Sequence, residues 1–162
     1  MEEITPANLK AKVETLSRKY NFPIHNLFAA KDDYSLPEIE AIGLMRRPET
    51  LIGCIFSDEM KYRKVFLEYR LFKGEFDSFI AVITDKRFKE FPKAKKIVES
   101  RLSETGIRLQ PNRGMIVGNL DPSIDEVEKF LSTYFQAQKQ ADDYIGEDIR
   151  MSEKLNSRYS IP

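Results

Sequence analysis

Two strand-like runs separated by a very short connection constrain the fold of this chain more than any other feature. Residues 64–72 alternate in polarity, so that every second residue is apolar over nine positions. Such alternation is typical of a half-buried β-strand. The next run, 76–84, is reached through little more than Lys73 and Gly74. Because parallel strands need a long crossover, a connection this short predicts an antiparallel hairpin.

Further strand-like runs lie on both sides of this hairpin. Residues 39–45 and 50–56 precede it with a turn at 46–49, which predicts a four-stranded meander. Residues 79–83 are apolar on both faces, so we expect the fourth strand to lie inside the sheet. A second hairpin is predicted from 107–110 and 115–120, with its turn at 111–114.

The first helix is predicted from its start signal and its apolar stripe. Thr5 is a good N-cap and Pro6 suits the first helical position, where a missing N–H costs nothing. Apolar residues then recur at helical spacing up to Tyr20. Residues 24–30 are expected to form a short turn or a second helix.

Two more helices are predicted in the second half of the chain. Residues 85–105 contain Pro92, so this helix is either bent or begins at the proline. The last helix opens with a capping-box pattern at Ser123 and Glu126 and is expected to run for about 20 residues, with Gly146 as its end.

These elements predict the α+β class. We expect an antiparallel sheet of five to six strands with an N-terminal helix, a middle helix and a long C-terminal helix. Residues 1–146 are predicted to form a single domain, and 147–162 a polar C-terminal tail.

The composition excludes several kinds of site. Lys and Arg number 26, and Asp and Glu also number 26, so a net-basic nucleic-acid binder is not supported. One cysteine, Cys54, and one histidine, His25, cannot supply a zinc site or an intrachain disulfide. Cys54 lies in an apolar run and is interpreted as buried, with a nucleophilic Cys54–His25 pair as the alternative. We expect no cofactor and no bound metal.

The sequence also bears on location. The acidic start, Met1-Glu2-Glu3, is not followed by the apolar segment of a secretory signal, and no run is long enough to span a membrane. We therefore expect a cytoplasmic protein without a membrane partner.

One pattern is compatible with catalysis. Asp58 follows the second meander strand, and Glu68 and Arg70 lie on the third. The spacing resembles the Asp…Glu-x-Lys pattern of the PD-(D/E)XK nucleases, in which two carboxylates hold a magnesium ion. This resemblance implies a metal-dependent phosphodiesterase or a degenerate relative, with Arg70 in place of the lysine. The alternative interpretation is a charged pair on a wet sheet face.

A second pattern points to a protein interface. Phe66, Glu68, Arg70 and Phe72 share one face of the predicted third strand. Surfaces that mix aromatic residues with arginine are typical of protein–protein contacts. We therefore predict these four residues as a partner-binding face.

The charges are unevenly distributed along the chain. Residues 85–101 hold seven basic residues and three acidic ones, whereas 121–154 hold nine acidic residues and four basic ones. Solvated helix faces explain this pattern, and so does complementarity between the two helices or across a homodimer. A third interpretation is an anion site at Lys89, Lys93 and Lys96, although nucleic acid is an unlikely partner.

The order of elements carries one further resemblance. Residues 115–120, Met-Ile-Val-Gly-Asn-Leu, lead into 122–127, Pro-Ser-Ile-Asp-Glu-Val. This junction and the order of elements resemble the class I type III secretion chaperones and the YbjN-like proteins. The resemblance implies a small homodimer that holds a partner polypeptide. We therefore predict a non-enzymatic cytoplasmic protein-binding domain, either a chaperone or an adaptor.

Overall fold

Six strands and three helices make up the part of the chain that the structure describes. The computed structural model describes residues 3–31, 50–58 and 62–159. The elements follow in the order α1 (Pro6–Lys19), β1 (Ile24–Lys31), β2 (Thr50–Asp58), β3 (Arg63–Phe72), β4 (Glu75–Asp85), α2 (Pro92–Glu104), β5 (Arg108–Gln110), β6 (Ile116–Asn119) and α3 (Ile124–Tyr159). This arrangement confirms the α+β class with an antiparallel sheet.

The six described strands belong to one sheet with the order β1-β2-β3-β4-β6-β5, and every neighbouring pair is antiparallel. Strands β1 to β4 are therefore neighbours in chain order. Strand β4 lies between β3 and β6, as its apolar faces predict. The β3–β4 turn at Lys73 and Gly74 has φ angles of 52° and 77°, the left-handed region that two-residue hairpin turns use.

The three helices pack against one face of the sheet. Their apolar residues form a single buried cluster with alternate strand residues, among them Cys54, Phe56, Val65, Leu67 and Ile83. The opposite face carries a smaller buried cluster of Leu51, Phe66 and Val82. The period of two in β3 thus divides its side chains between the two faces, as the sequence predicts.

The predicted helix starts are confirmed by their hydrogen bonds. The Thr5 hydroxyl accepts from the Asn8 backbone N–H at 3.1 Å, and the Asn8 side chain accepts from the Thr5 N–H at 2.8 Å. Pro92 is the first residue of α2, so the helix begins at the proline instead of bending there. Ser123 caps α3 by accepting from the Glu126 N–H at 3.1 Å.

Two predictions about elements are wrong. Residues 24–30 belong to a β-strand rather than a turn or helix. The register of β1 shifts between His25 and Phe28, and Asn26 has φ of 53°. This irregularity interrupts the alternation by which a strand is identified in a sequence.

The second error concerns the last helix. Helix α3 has 36 residues and continues through Gly146 to Tyr159 instead of ending after about 20. A glycine inside a helix costs only about 1 kcal/mol relative to alanine, so it does not stop a helix that is already formed. The strand predicted at 39–45 lies outside the described residues.

The length and composition of the helices bear on the prediction that no segment spans a membrane. None of the described helices combines the length and the apolar character that a membrane span requires.

Candidate functional site

A cluster of charged side chains lies where three strands end against α3. Asp58 ends β2, Arg63 begins β3 and Asp85 ends β4. The β3–β4 register places Arg63 directly opposite Asp85. Helix α3 contributes Asp142, and the turn after β4 contributes Arg87. We call these five residues the sheet-end cluster.

Arg63 joins two of the carboxylates. Its Nε lies 2.8 Å from Asp58 Oδ2, and its Nη1 lies 2.6 Å from Asp142 Oδ2. Its guanidinium also lies over the ring of Phe22, 4.8 Å from the centroid. Arg63 therefore connects the end of β2 to α3 across the core.

Arg87 makes the matching connection from β4. Its Nε and Nη2 lie 3.1 and 3.0 Å from the two carboxylate oxygens of Asp85, a bidentate pair. The same Nη2 lies 2.7 Å from Asp142 Oδ1. Asp142 is thus shared by both arginines, and it is the only member of the sheet-end cluster that α3 supplies.

The environment keeps both arginines charged. Burial by itself lowers the pKa of the Arg63 guanidinium, but the carboxylates of Asp142 and Asp58 and the hydrogen bond to Asp58 outweigh burial and raise it. Burial likewise opposes the charge of Arg87, and the hydrogen bonds to Asp85 and Asp142 more than compensate, so its pKa is also raised. Neither arginine can act as a proton donor at physiological pH.

Two buried oxygens beside the cluster have no hydrogen-bond partner among the described residues. They are the Tyr134 hydroxyl and Gln138 Oε1, one helical turn apart on α3. The Gln138 amide nitrogen donates to Asp142 Oδ1 at 3.2 Å. Burial raises the pKa of the Tyr134 phenol, so this hydroxyl stays protonated. The arrangement holds α3 on the end of the sheet. Each carboxylate of the cluster is bound by an arginine of the same cluster.

The carboxylate pair predicted from the nuclease resemblance is not formed. Strand register places Asp58 at the sheet end beside Arg63, whereas Glu68 lies opposite Gly53, five residues further along β2. At about 3.3 Å per residue this separation is roughly 17 Å. In the described part of the chain no three His, Cys, Asp or Glu residues are grouped so that they could hold a metal ion.

The Cys54–His25 alternative also has no geometric support. Cys54 pairs with Ala29 across the β1–β2 ladder, and His25 pairs with Ser57. Cys54 is completely buried, and this burial raises the pKa of its thiol to about 12. A thiol that stays protonated is a poor nucleophile. Cys54 is a core residue, as its apolar neighbours in the sequence indicate.

The predicted partner-binding face is only partly accessible. Phe66 and Glu68 are both 2% exposed, and Arg70 binds Glu68 through Nε at 2.8 Å and Nη2 at 2.5 Å. Phe72 is 39% exposed. A partner can therefore contact Phe72 directly but cannot reach Phe66 or Glu68 in this conformation.

The end of the β3–β4 hairpin exposes a second aromatic residue, which the sequence interpretation missed. Phe76 is 44% exposed and packs its ring 5.7 Å from that of Tyr69. It faces the helix side of the sheet, because it pairs with Leu71 across the hairpin, whereas Phe72 faces the other side. We call Phe72, Phe76 and the turn between them the hairpin tip.

The predicted anion-binding lysines are exposed but not clustered around a pocket. Lys93 and Lys96 lie on the outer side of α2, and Lys89 lies in the turn before it. A shallow groove does run between α2 and α3, with a volume of about 390 Å³, and its lining includes Lys96, Ile97, Ser100, Arg101 and Gln140. Of the three predicted lysines only Lys96 lines this groove, so they do not converge on one site.

The end of α3 is the other feature that the sequence interpretation missed. Residues 147–154 are all exposed, among them Ile149 and Met151. The segment expected to be a polar tail therefore continues α3 as a helix whose residues 147–154 do not pack against the rest of the described chain. The sheet-end cluster was missed as well, because only the strand register shows that its members meet.

The chain matches no protein-family model, no curated protein and no solved structure. The resemblance to the secretion chaperones therefore stays a prediction.

Proposed function

We propose that this chain is a non-enzymatic cytoplasmic protein-binding domain of the adaptor or chaperone type, and that the hairpin tip contacts the partner polypeptide. The observation that carries this proposal is the exposure of Phe72 and Phe76 at the end of one hairpin. Exposed aromatic side chains are enriched at protein interfaces, where they supply much of the binding energy.

The position of the two rings supports this role. Phe72 and Phe76 flank a tight turn and project from opposite faces of the sheet, so together they form an apolar wedge. The sheet behind them is well packed, since Tyr69 and Phe79 are buried and their rings are 5.3 Å apart. A rigid hairpin loses little conformational entropy when it enters a cleft of a partner.

The state of the ionisable groups also favours binding over the specific chemistries considered above. Asp58 and Glu68 are each held by an arginine, and Cys54 is buried in the core. These residues support the structure in ways that leave them poorly placed to act on a substrate.

The proposal is tested by replacing both rings without disturbing the core. Tagged wild-type protein and a Phe72→Ser/Phe76→Ser variant are used to capture partners from the native lysate, and bound proteins and nucleic acids are identified. We expect one stoichiometric protein partner that the variant loses. The matched control is Tyr62→Ser, which removes an exposed ring near the opposite end of the sheet.

Two results would contradict the proposal. One is a partner that binds the double variant as well as the wild type while the variant retains its circular dichroism and thermal midpoint. The other is a wild-type protein that captures no protein partner.

A further inference from the structure

We propose that the chain forms a two-fold dimer in which the exposed end of α3 of each copy lies in the α2–α3 groove of the other. The partner in this contact is a second copy of the chain, so the inference is independent of the hairpin tip.

The end of α3 lacks the packing that the rest of the helix has. Ile145 is buried, but every residue from 147 to 154 is exposed, with Ile149 at 45% and Met151 at 59%. Short helical segments without tertiary contacts are marginal in water. The exposed Ile149 and Met151 side chains on this segment therefore indicate a surface that a partner covers.

The groove has the opposite charge to the helix end. Lys96 and Arg101 border it, Ile97 forms its apolar floor, and Lys93 lies exposed on the same helix. No carboxylate binds Lys93 or Lys96 within the described ranges. In contrast, residues 143–154 carry four acidic side chains and two basic ones. The basic and acidic segments already meet within one chain at Arg87 and Asp142, whereas Lys93 and Lys96 remain available to a second copy.

A chain cannot place its own helix end in its own groove. Gln140 forms part of the groove wall, and Arg101 donates to its Oε1 at 2.5 Å. Met151 lies eleven residues further along the same continuous helix, at about 1.5 Å per residue, so it is roughly 16 Å away. The contact must therefore be between molecules.

Helical spacing fits a two-fold arrangement. Gln140, Tyr144, Glu147 and Met151 follow one another at intervals of four, three and four residues, which places them on one face of α3. If two α3 helices cross in antiparallel fashion between residues 145 and 146, Gln140 faces Met151 of the second copy and Tyr144 faces its Glu147. Met151 then enters the groove beside Ile97, and the contact is formed twice, as closed symmetry requires.

The experiment is a charge exchange followed by analytical ultracentrifugation over a dilution series. We expect a dimer for the wild type. Lys93→Glu/Lys96→Glu and Glu147→Lys/Asp148→Lys should each raise the dimer Kd by at least about tenfold, because like charges then face each other. The two pairs combined in one chain should restore the Kd to within about threefold of the wild type.

Two further variants complete the design. Met151→Asp should also weaken the dimer by at least about tenfold, because it places a charge in the apolar part of the groove. Lys10→Glu/Lys19→Glu changes the net charge by the same amount as the groove variant, from exposed positions on α1, and should leave the Kd unchanged. Circular dichroism checks that each variant is folded.

The results that overturn the inference are specific. They are a wild type that is monomeric at every concentration, a dimer that none of the α2 or α3 variants weakens, and a combined variant that stays monomeric. A monomer whose groove binds a different acidic helix also counts against a second copy as the occupant. None of these outcomes bears on partner capture by the hairpin tip, so the two proposals fail separately.

Discussion

At the scale of single residues, burial decides the chemistry of the side chains that looked reactive. Cys54 is the clearest example, since its thiol lies entirely within the core between the sheet and the helices. Its desolvation raises the pKa to about 12 from an ordinary value of 9.0. The Cys54 thiol therefore stays protonated in the folded protein.

This shift predicts a loss of stability at alkaline pH. Below pH 9 both the folded and the unfolded thiol are protonated, so Cys54 contributes no pH dependence. Between pH 9 and 12 only the unfolded thiol ionises, which lowers the free energy of unfolding by about 1.4 kcal/mol per pH unit.

Urea unfolding at pH 8 and pH 10 measures this effect. We expect Cys54→Ala to be less stable than the wild type at pH 8 and to lose less stability on the change to pH 10. Equal losses in the two proteins would show that the thiol does not carry the effect.

Tyr134 gives a second prediction at this scale. Its hydroxyl is buried without a hydrogen-bond partner among the described residues, and such a group costs about 1 to 3 kcal/mol. Tyr134→Phe removes the hydroxyl and keeps the ring that stacks on Phe130 at 6.2 Å. We expect the free energy of unfolding to rise by about 1 kcal/mol, measured by urea unfolding. A decrease of that size would instead reveal a bound water or another partner, and Tyr62→Phe at the surface is the control.

At the scale of elements, the β3–β4 hairpin depends on its turn. Lys73 and Gly74 both adopt positive φ, and the position of Gly74 has no neighbouring atom that an added Cβ would meet. The constraint on Gly74 is therefore the backbone conformation alone, which side chains other than that of glycine adopt at a cost of about 1 to 2 kcal/mol.

Replacement of this glycine should be measurable. We expect Gly74→Ala to lower the free energy of unfolding by about 1 kcal/mol in urea. Gly114→Ala is the matched control, because Gly114 also has open space around it but no left-handed backbone. If both variants lose the same stability, the positive φ of the turn is not the cause.

Helix α3 shows how one element serves two purposes. Its first part packs Val127, Phe130 and Leu131 in the core, this packing continues to Ile145, and residues 147–154 are exposed. The exposed last part is the segment that the proposed dimer covers.

At the scale of the whole molecule, the sheet-end cluster joins elements that are distant in the sequence. Arg63 and Arg87 hold Asp58 and Asp85 at the ends of two strands, and both reach Asp142 on α3. Hydrogen bonds to charged groups are worth about 1.5 to 3 kcal/mol each when they are buried.

Removal of the shared carboxylate tests the cluster. Asp142→Ala should lower the free energy of unfolding by about 2 kcal/mol, because two arginines lose a partner. The effect stays below that of a fully buried pair, since the Asp142 side chain is 34% exposed. Thermal and urea unfolding measure it, with the exposed neighbour Asp143→Ala as the control, for which we expect a change below about 0.5 kcal/mol. A similar response of both variants would mean that the cluster does not hold α3 in place.

Local patterns in the sequence predict most of the described secondary structure and the antiparallel character of the sheet. The alternation in β3, the short turn at Lys73 and Gly74, and the caps at Thr5 and Ser123 are local signals, and local interactions produce the features they predict. The apolar residues that flank Cys54 in the sequence likewise predict its burial. Strand β1 was not, because its bulge breaks the two-residue period.

The pairing of charged residues, in contrast, follows from the fold. Asp58 and Glu68 looked like a pair in the sequence, but the register places them far apart and gives each an arginine. The sheet-end cluster and the α2–α3 groove depend on the packing of α3, which local patterns do not encode. The physical reason is that a side chain's partners follow from strand register and helix docking, whereas a sequence pattern reports only the face on which the side chain lies.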